Sequence, residues 1–162
     1  MTTITPCLWF DGNGMEAAEY YVSVIPNSRI TDVSYYGPDQ PGKDGAVLTV
    51  AFELAGRPFT ALNGGPQYKF TEAVSLQVSA ADQEEIDRYT ERLTADGGEL
   101  GPCGWVKDRF GLSWQVVPDA LLELMSDPNP LRANAAVQAM LGMMKIDIQA
   151  LRVAADADAP SA

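Results

Sequence analysis

The 162-residue chain contains no histidine, and that absence narrows the chemistry open to it. Without imidazole there is no Ser-His-Asp or Cys-His nucleophile system, no histidine acid–base pair and no His-ligated metal centre. The proton- and charge-bearing residues that remain are thinly spread. Cys7 and Cys103 have no base beside them in sequence to lower a thiol pKa. Lys107-Asp108-Arg109 forms a charge knot in a polar turn, where charges are ordinarily solvated and where a lid salt bridge or an anion clamp is the alternative. Glu53 alternates onto one strand face with Thr49 and Ala51, which makes it the candidate general base if there is a reaction.

Amides and hydroxyls are better placed than acids or bases. In Leu112–Val117, strand alternation puts Ser113, Gln115 and Val117 on one face and Leu112, Trp114 and Val116 on the other. In Ala73–Ser79 it groups Ser75, Gln77 and Ser79 against Val74, Leu76 and Val78. A polar Gln among bulky apolar neighbours is either a core glutamine with its hydrogen bonds satisfied or a residue looking into a cavity. The same alternation assigns Phe59, Ala61 and Asn63 to a shared lining, with Leu8 and Phe10 projecting from the first strand. The expected ligand-binding set is therefore Phe10, Phe59, Asn63, Ser75, Gln77, Ser113 and Gln115. Trp9, Trp114 and Cys7 fall on the faces expected to be packed, and Trp105 is either core or wall.

The elements that must position these residues follow from periodicity and punctuation. Ile4–Phe10 reads as a strand closed by Asp-Gly-Asn-Gly. Asn13 is the expected cap of a helix over Gly14–Val24, with Glu16 completing a capping box and Met15, Ala18, Tyr21 and Val22 on the apolar side. Arg29–Tyr36, Ala46–Leu54 and Pro58–Leu62 follow as strands, the last two joined through Ala55-Gly56-Arg57. After the loop that carries Tyr68 and Phe70, the pattern starts again. Ala73–Ser79 is a strand, Asp82 caps an amphipathic helix over Gln83–Ala95, and three short strands run to Val117. The order is βαβββ twice, and a shift of about 69 residues superposes Glu16 on Glu85 and Tyr20 on Tyr89. Ala120–Ser126, Leu131–Met144 and Ile146–Ala154 read as helices; the Met140, Leu141, Met143 and Met144 stripe packs either on the chain's own sheet or across a dimer.

At 46% hydrophobic and 20% charged, the composition is that of a globular protein with a sizeable core. A net charge of −11 and a pI near 4.2 argue against nucleic acid and anionic membranes. No apolar run approaches a membrane span, and the N-terminus lacks an export signal, so a reduced, cytoplasmic protein is expected.

Thr5-Pro-Cys-Leu-Trp-Phe10, Glu16–Tyr21, Asn63-Gly-Gly65 and above all Cys103-Gly-Trp-Val-Lys-Asp-Arg-Phe-Gly-Leu-Ser-Trp-Gln115 resemble the PhnB-like family. Its members often carry the label "3-demethylubiquinone-9 3-methyltransferase domain" and belong to the vicinal oxygen chelate (glyoxalase/bleomycin-resistance/dioxygenase) superfamily. The resemblance covers about Thr3–Leu151. It implies an α+β fold in which tandem βαβββ modules curl a mixed sheet into a cup, followed by C-terminal helices and commonly joined as a homodimer. The expected organisation is one domain over residues 1–155, with modules at 1–66 and 72–118, helices at 119–155 and a frayed tail at 156–162.

In metal-dependent relatives the first and last strands of each module supply inward ligands. Carried over by the helix motif and the Gly-turn before the last strand, those places fall on Pro6, Phe59, Ser75 and Gln115. Pro and Phe cannot coordinate, Ser is a poor ligand and Gln offers one neutral oxygen, so no metal and no cofactor are expected. Nor does Asp11-Gly-Asn-Gly14 supply the Gly-rich turn of a common adenosylmethionine enzyme. The reading that results is a metal-independent binder of a small organic molecule. A lyase or isomerase of the same superfamily, and a structural module whose cups are filled by side chains, are its alternatives.

Overall fold

The computed structural model describes residues 2–157 and divides between Phe70 and Thr71 into two compact units. The first unit runs β1 (Cys7–Phe10), α1 (Gly14–Val24), β2 (Arg29–Tyr35), β3 (Val47–Leu54) and β4 (Arg57–Asn63). The second opens with β5 (Ser75–Ala80), α2 (Gln83–Thr94), β6 (Glu99–Leu100), β7 (Trp105–Lys107) and β8 (Ser113–Pro118). It continues into α3 (Asp119–Met125), α4 (Pro130–Leu141) and α5 (Ile148–Ala157). Sheet orders are β1-β4-β3-β2 and β5-β8-β7-β6, with the first and last strands of each unit parallel and the other neighbours antiparallel. This is an α+β arrangement in which βαβββ occurs twice, the order read from the sequence, and it is the glyoxalase/bleomycin-resistance-like architecture that the family resemblance implies. α5 extends to Ala157, past the expected start of the tail, and the rest of that tail lies outside the described residues.

In the first unit the buried positions of α1 are Gly14, Ala17, Ala18, Tyr21 and Val24. The small residues let the helix approach the sheet closely, and Tyr21 then meets Phe52 at a ring distance of 6.3 Å, while Phe52 stacks on Phe59 at 5.5 Å. Val50, Phe52, Leu54, Phe59 and Ala61 complete this core; each fully buried large apolar side chain contributes about 1.5–3 kcal/mol. Between β3 and β4, Ala55 and Gly56 both take positive φ (48° and 77°), the signature of a two-residue hairpin turn that keeps the strands' natural twist.

The start of α1 differs from expectation. Asn13 makes no side-chain cap bond, because its backbone (φ −104°, ψ 20°) is not in the extended conformation that aims a capping side chain at the first turn. The orphan Gly14 N–H instead donates to Asn63 Oδ1 at 2.8 Å, across the sheet from β4. α2 begins as its sequence predicts. Asp82 Oδ1 accepts from the Glu85 N–H at 2.9 Å, the Glu85 carboxylate accepts from the Ala81 N–H at 2.9 Å, and Ile86, Tyr89, Thr90 and Leu93 are buried.

The expected helix over Leu131–Met144 stops at Leu141, so Met140 and Leu141 end a helix while Met143 and Met144 belong to a link over residues 142–147. That link is stitched to the body of its unit. Cys103 and Gly104 donate their N–H groups to the carbonyls of Met143 (2.7 Å) and Met144 (2.8 Å). The Gln83 side chain donates to Ile146 O and accepts from the Ile148 N–H, both at 3.0 Å, and Ile146 is fully buried. A continuous stripe gives way to a clasp because the chain finds partners for its backbone there. Among the described residues no helix is long and apolar enough to cross a membrane.

Gly104 is where the clasp leaves no room. It has φ +80°, and an added Cβ would lie 2.8 Å from Val116 O and 3.0 Å from Ile146 Cγ1; Gly111, at φ +88°, faces open space. Gly111→Ala should cost only the left-handed penalty of about 1–2 kcal/mol. Gly104→Ala should cost about 3 kcal/mol or more, because overpacking is added to strain. Paired urea denaturation curves check this, and equal losses would show that the clasp yields.

Candidate functional site

Cross-strand register assigns the faces. In the first unit Leu8, Phe10, Val50, Phe52, Phe59, Ala61 and Asn63 are buried on the side of α1, and their strand neighbours form the opposite face. Cys7 pairs with Thr60, which pairs with Ala51; Trp9 pairs with Leu62, which pairs with Thr49; Pro58 pairs with Glu53. The expected lining by Phe10, Phe59 and Asn63 is thus corrected: all three belong to the packed side. Glu53 pairs with Pro58, which sets it on the face opposite Phe59. Asn63 is locked into structure. Its Oδ1 receives the Gly14 amide, its Nδ2 donates to Val47 O at 3.0 Å, and its carbonyl accepts from Tyr36 Oη at 2.6 Å.

Cys7 and Trp9 are corrected in the opposite direction. Cys7 is exposed, and Trp9 stands half-buried on the face away from α1. The Trp9 Nε1–H donates to Gly65 O at 2.7 Å, and Tyr68 meets the indole edge-on at 4.9 Å. A Cβ on Gly64 would lie 2.3 Å from the indole ring, and Gly65 takes φ +105°, which together account for the Gly-Gly pair after Asn63. Glu53 does lie with Thr49 and Ala51, but its carboxylate is paired with Arg29 at 3.0 Å, with Arg29 71% exposed. As a general base it would first have to leave that cation.

In the second unit the polar row is where alternation puts it. Leu76, Val78 and Ala80 pair with Trp114, Val116 and Pro118, while Ser75, Gln77 and Ser79 pair with Ser113, Gln115 and Val117. Gln115 Nε2 donates to Ser75 Oγ at 2.8 Å, and its Oε1 accepts from Gln77 Nε2 at 3.3 Å. Ser75, Gln77 and Gln115 are therefore brought together, and Gln77 is exposed. The bonds run side chain to side chain, not from a core glutamine to backbone. Val74 precedes the strand and is 66% exposed, so it is not part of the packed side.

Trp105 pairs with Gln115, and Lys107 with Ser113, on that same face. They border a groove of about 440 Å³ whose walls include Leu100, Gly101, Pro102, Val106 and Ser113, with Glu72, Glu99 and Lys107 at its charged edge. Glu72 and Glu99 had no place in the expected site. A signal existed in the hairpin register, which sets Trp105 opposite Gln115. Lys107 Nζ lies 2.9 Å from Glu72 Oε1 and 3.8 Å from Glu99 Oε2. The hydrogen bond with Glu72 holds the Lys107 ammonium above its ordinary pKa and the Glu72 carboxyl below its own.

The charge knot itself divides. Lys107 faces the groove edge, whereas Asp108 is 2% exposed and works inside the turn. Its Oδ1 accepts from the Phe110 and Leu112 N–H groups (2.9 and 3.1 Å), and its Oδ2 accepts from Trp114 Nε1 at 2.8 Å. Solvated charge was the expectation for all three residues. For Asp108 the carboxylate replaces water with three donors.

The sheet register also moves the first-unit ligand places from Pro6 and Phe59 to Cys7 and Thr60, which pair across β1 and β4 as Gln77 and Gln115 pair across β5 and β8. In the first unit that leaves one thiol and one hydroxyl, and in the second two amides beside the Ser75 hydroxyl. Neither set fits a resident divalent iron, nickel or zinc ion, which wants several imidazole, carboxylate or thiolate ligands. Among the described residues no three His, Cys, Asp or Glu side chains are grouped to hold a metal.

A family model described as 3-demethylubiquinone-9 3-methyltransferase matches residues 2–117. Of solved structures, the chain is similar to a putative 3-demethylubiquinone-9 3-methyltransferase, PhnB protein, from Bacillus cereus. They share 34% identity, with 72% of this chain and 99% of that chain covered and a TM-score of 0.63. It is also similar to protein PA1353 from Pseudomonas aeruginosa (22% identity, 74% and 100% covered, TM-score 0.57). A third is the fosfomycin resistance protein FosX from Listeria monocytogenes (20% identity, 78% and 98% covered, TM-score 0.53). The last two likenesses are of fold. No curated protein matches the chain.

The placement of Asn63 and Asp108 separates structure from binding. Asn63→Ala should lose about 2–3 kcal/mol, since it strands the Gly14 amide and the Val47 carbonyl. Asp108→Ala should lose about 3 kcal/mol, since two buried donors, the Leu112 amide and the Trp114 indole, and the half-buried Phe110 amide go unpaired. Thermal and urea unfolding measure both; losses under about 1 kcal/mol would contradict the assignment of these side chains to the framework.

Proposed function

We propose, from the premise that the chain belongs to the 3-demethylubiquinone-9 3-methyltransferase (PhnB-like) family, that it is a metal-independent binder of a small organic molecule. One observation carries the reading. The face of the second sheet away from α2 joins a hydrogen-bonded Ser75–Gln115–Gln77 row to an apolar-walled groove beside Trp105. A concave apolar wall with a few fixed neutral donors and acceptors is the usual make-up of a small-molecule site. Ser113, at the groove wall, belongs to the same proposed set. In the first unit, Cys7, Trp9, Thr60 and Leu62 replace Phe10, Phe59 and Asn63 as the proposed lining, on the strength of the strand register.

The family's label does not supply a mechanism. Both sheets are mixed, and the Asp11–Gly14 turn between β1 and α1 is too short for the Gly-rich turn that cradles adenosylmethionine on the parallel sheet of the common methyltransferases. For chemistry, Glu53 is the residue to test, but its ion pair with Arg29 favours a surface role. We also propose a homodimer, supported by exposed apolar side chains on the C-terminal helices, Leu122, Met125, Leu131 and Leu141. A cytoplasmic setting accords with the two free thiols.

The test is a thermal-shift screen of small aromatic and heteroaromatic compounds against the full chain, followed by titration of the hits. Hits should weaken by about tenfold in Gln115→Leu, which removes both ends of the amide. They should be indifferent to Asn63→Ala at temperatures where that variant is folded. Binding should survive exhaustive dialysis against EDTA. Stoichiometric divalent metal in the purified protein, with binding abolished by its removal, would overturn the metal-independent reading. Sedimentation at twice the 17.4 kDa chain mass is the expected result for the dimer.

A further inference from the structure

The groove beside Trp105 has a charge character that the neutral amide row does not share. We propose that it selects small organic cations with a flat apolar body. The inference rests on the binding reading above and adds the charge class of the ligand.

The groove's volume of about 440 Å³ falls within the range of small-molecule sites, roughly 300–1,000 Å³. Its walls are apolar where Trp105, Pro102, Leu100 and Val106 contribute, so any ligand with a hydrophobic body gains from burial there. The edge decides what else the ligand carries. Two carboxylates, Glu72 and Glu99, share one ammonium, that of Lys107. The sum at the edge is one negative charge, on a chain whose net charge is −11.

An anion would have to compete with Glu72 for Lys107 across a 2.9 Å contact and would meet Glu99 beside it. A neutral ligand gains the apolar term alone. A cation gains that term, a carboxylate partner and the electron-rich indole of Trp105 in the groove wall. Glu99 is the natural partner, because its 3.8 Å separation from Lys107 exceeds hydrogen-bond reach. The side chains of Glu99 and Glu72 are 73% and 64% exposed, so their oxygens reach solvent at the groove's edge.

Three bicyclic probes of nearly equal size separate charge from shape: 1-methylquinolinium, its uncharged isostere 1-methylnaphthalene, and 1-naphthoate. Titrated into the full chain with Trp fluorescence as the readout, 1-methylquinolinium should bind about tenfold tighter than the isostere at low ionic strength, with 1-naphthoate weakest. Added salt should shrink that preference without weakening 1-methylnaphthalene. Two variants should move the cation in opposite directions, each by about three- to tenfold: Glu99→Gln weakens it, and Lys107→Gln strengthens it. Both should leave the melting temperature nearly unchanged, since exposed ion pairs contribute little to stability. A merely structural effect of either substitution would not produce opposite signs. Equal affinity for 1-methylquinolinium and 1-methylnaphthalene, or same-sign shifts in the two variants, would overturn the cation inference and leave the binding reading standing. Failure of all three probes to bind at millimolar concentration would overturn both at this groove.

Discussion

A twisted sheet has two faces, and in each unit one of them is given over to a helix. α1 lays Gly14, Ala17, Ala18 and Tyr21 against one side of the first sheet, and α2 lays Ile86, Tyr89 and Leu93 against one side of the second. That burial supplies most of the free energy holding each unit together. It also fixes, residue by residue, which side chains remain for anything else. Because strand side chains alternate strictly, a residue's role follows from whether it shares parity with Phe52 or with Thr49, with Trp114 or with Gln115. Parallel pairing of first and last strands then sets residues far apart in sequence side by side, as with Gln77 and Gln115.

Much of this was legible in the residues. Element order, the Asp82 cap, the buried side of α2 and the Ser75–Gln77–Gln115 row all follow from local periodicity, because each is decided within a few neighbouring positions. The first unit was harder. Three residues, Asp11–Asn13, separate β1 from α1, whereas two, Ala81 and Asp82, separate β5 from α2. A repeat offset taken from the helices is therefore one residue out for the strands, and one residue inverts a strand's faces. Phe10 is misplaced for that reason, as are Cys7 and Trp9, whereas the face of Phe59 and Asn63 is decided by a register, Ala61 opposite Leu8 and Val50, that alternation within β4 alone does not reveal. The Asn63 lock on Gly14 and the Asp108 lock on Trp114 were illegible for another reason. Each is a buried side-chain hydrogen bond that overrides a plausible alternative, one reaching across 49 residues in place of a helix cap and the other closing a hairpin turn from inside where solvated charge was expected.

Asp108 also shows how the second unit keeps its groove in shape. A buried carboxylate that gathers two amides and an indole fixes the β7–β8 turn from inside, which leaves Lys107 directed outward to Glu72 and Glu99. From the other side, the 142–147 link pins Cys103 and Gly104, next to Trp105. The groove wall is thus held at both ends of a short strand, by a charge inside and a clasp outside. The family model ends at residue 117, and the Bacillus cereus structure, matched over 99% of its length, accounts for 72% of this chain. The clasp comes from chain that the family model does not span.

The unequal turns before the two helices have a consequence for anyone who treats the modules as interchangeable. Relative to the helix start, Trp9 lies five residues upstream and Ser79 four, yet they are equivalent in the sheets. Grafting the second module's amide pair onto the first would have to target Cys7 and Thr60, an offset of 70 in the first strand, while helix residues trade at 69. A chimera built on the helix offset of 69 would put the glutamine of β5 at Leu8, under α1, and the offset between the last strands, Gln115 against Thr60, is different again. The two halves are copies in topology, but they keep different residue clocks.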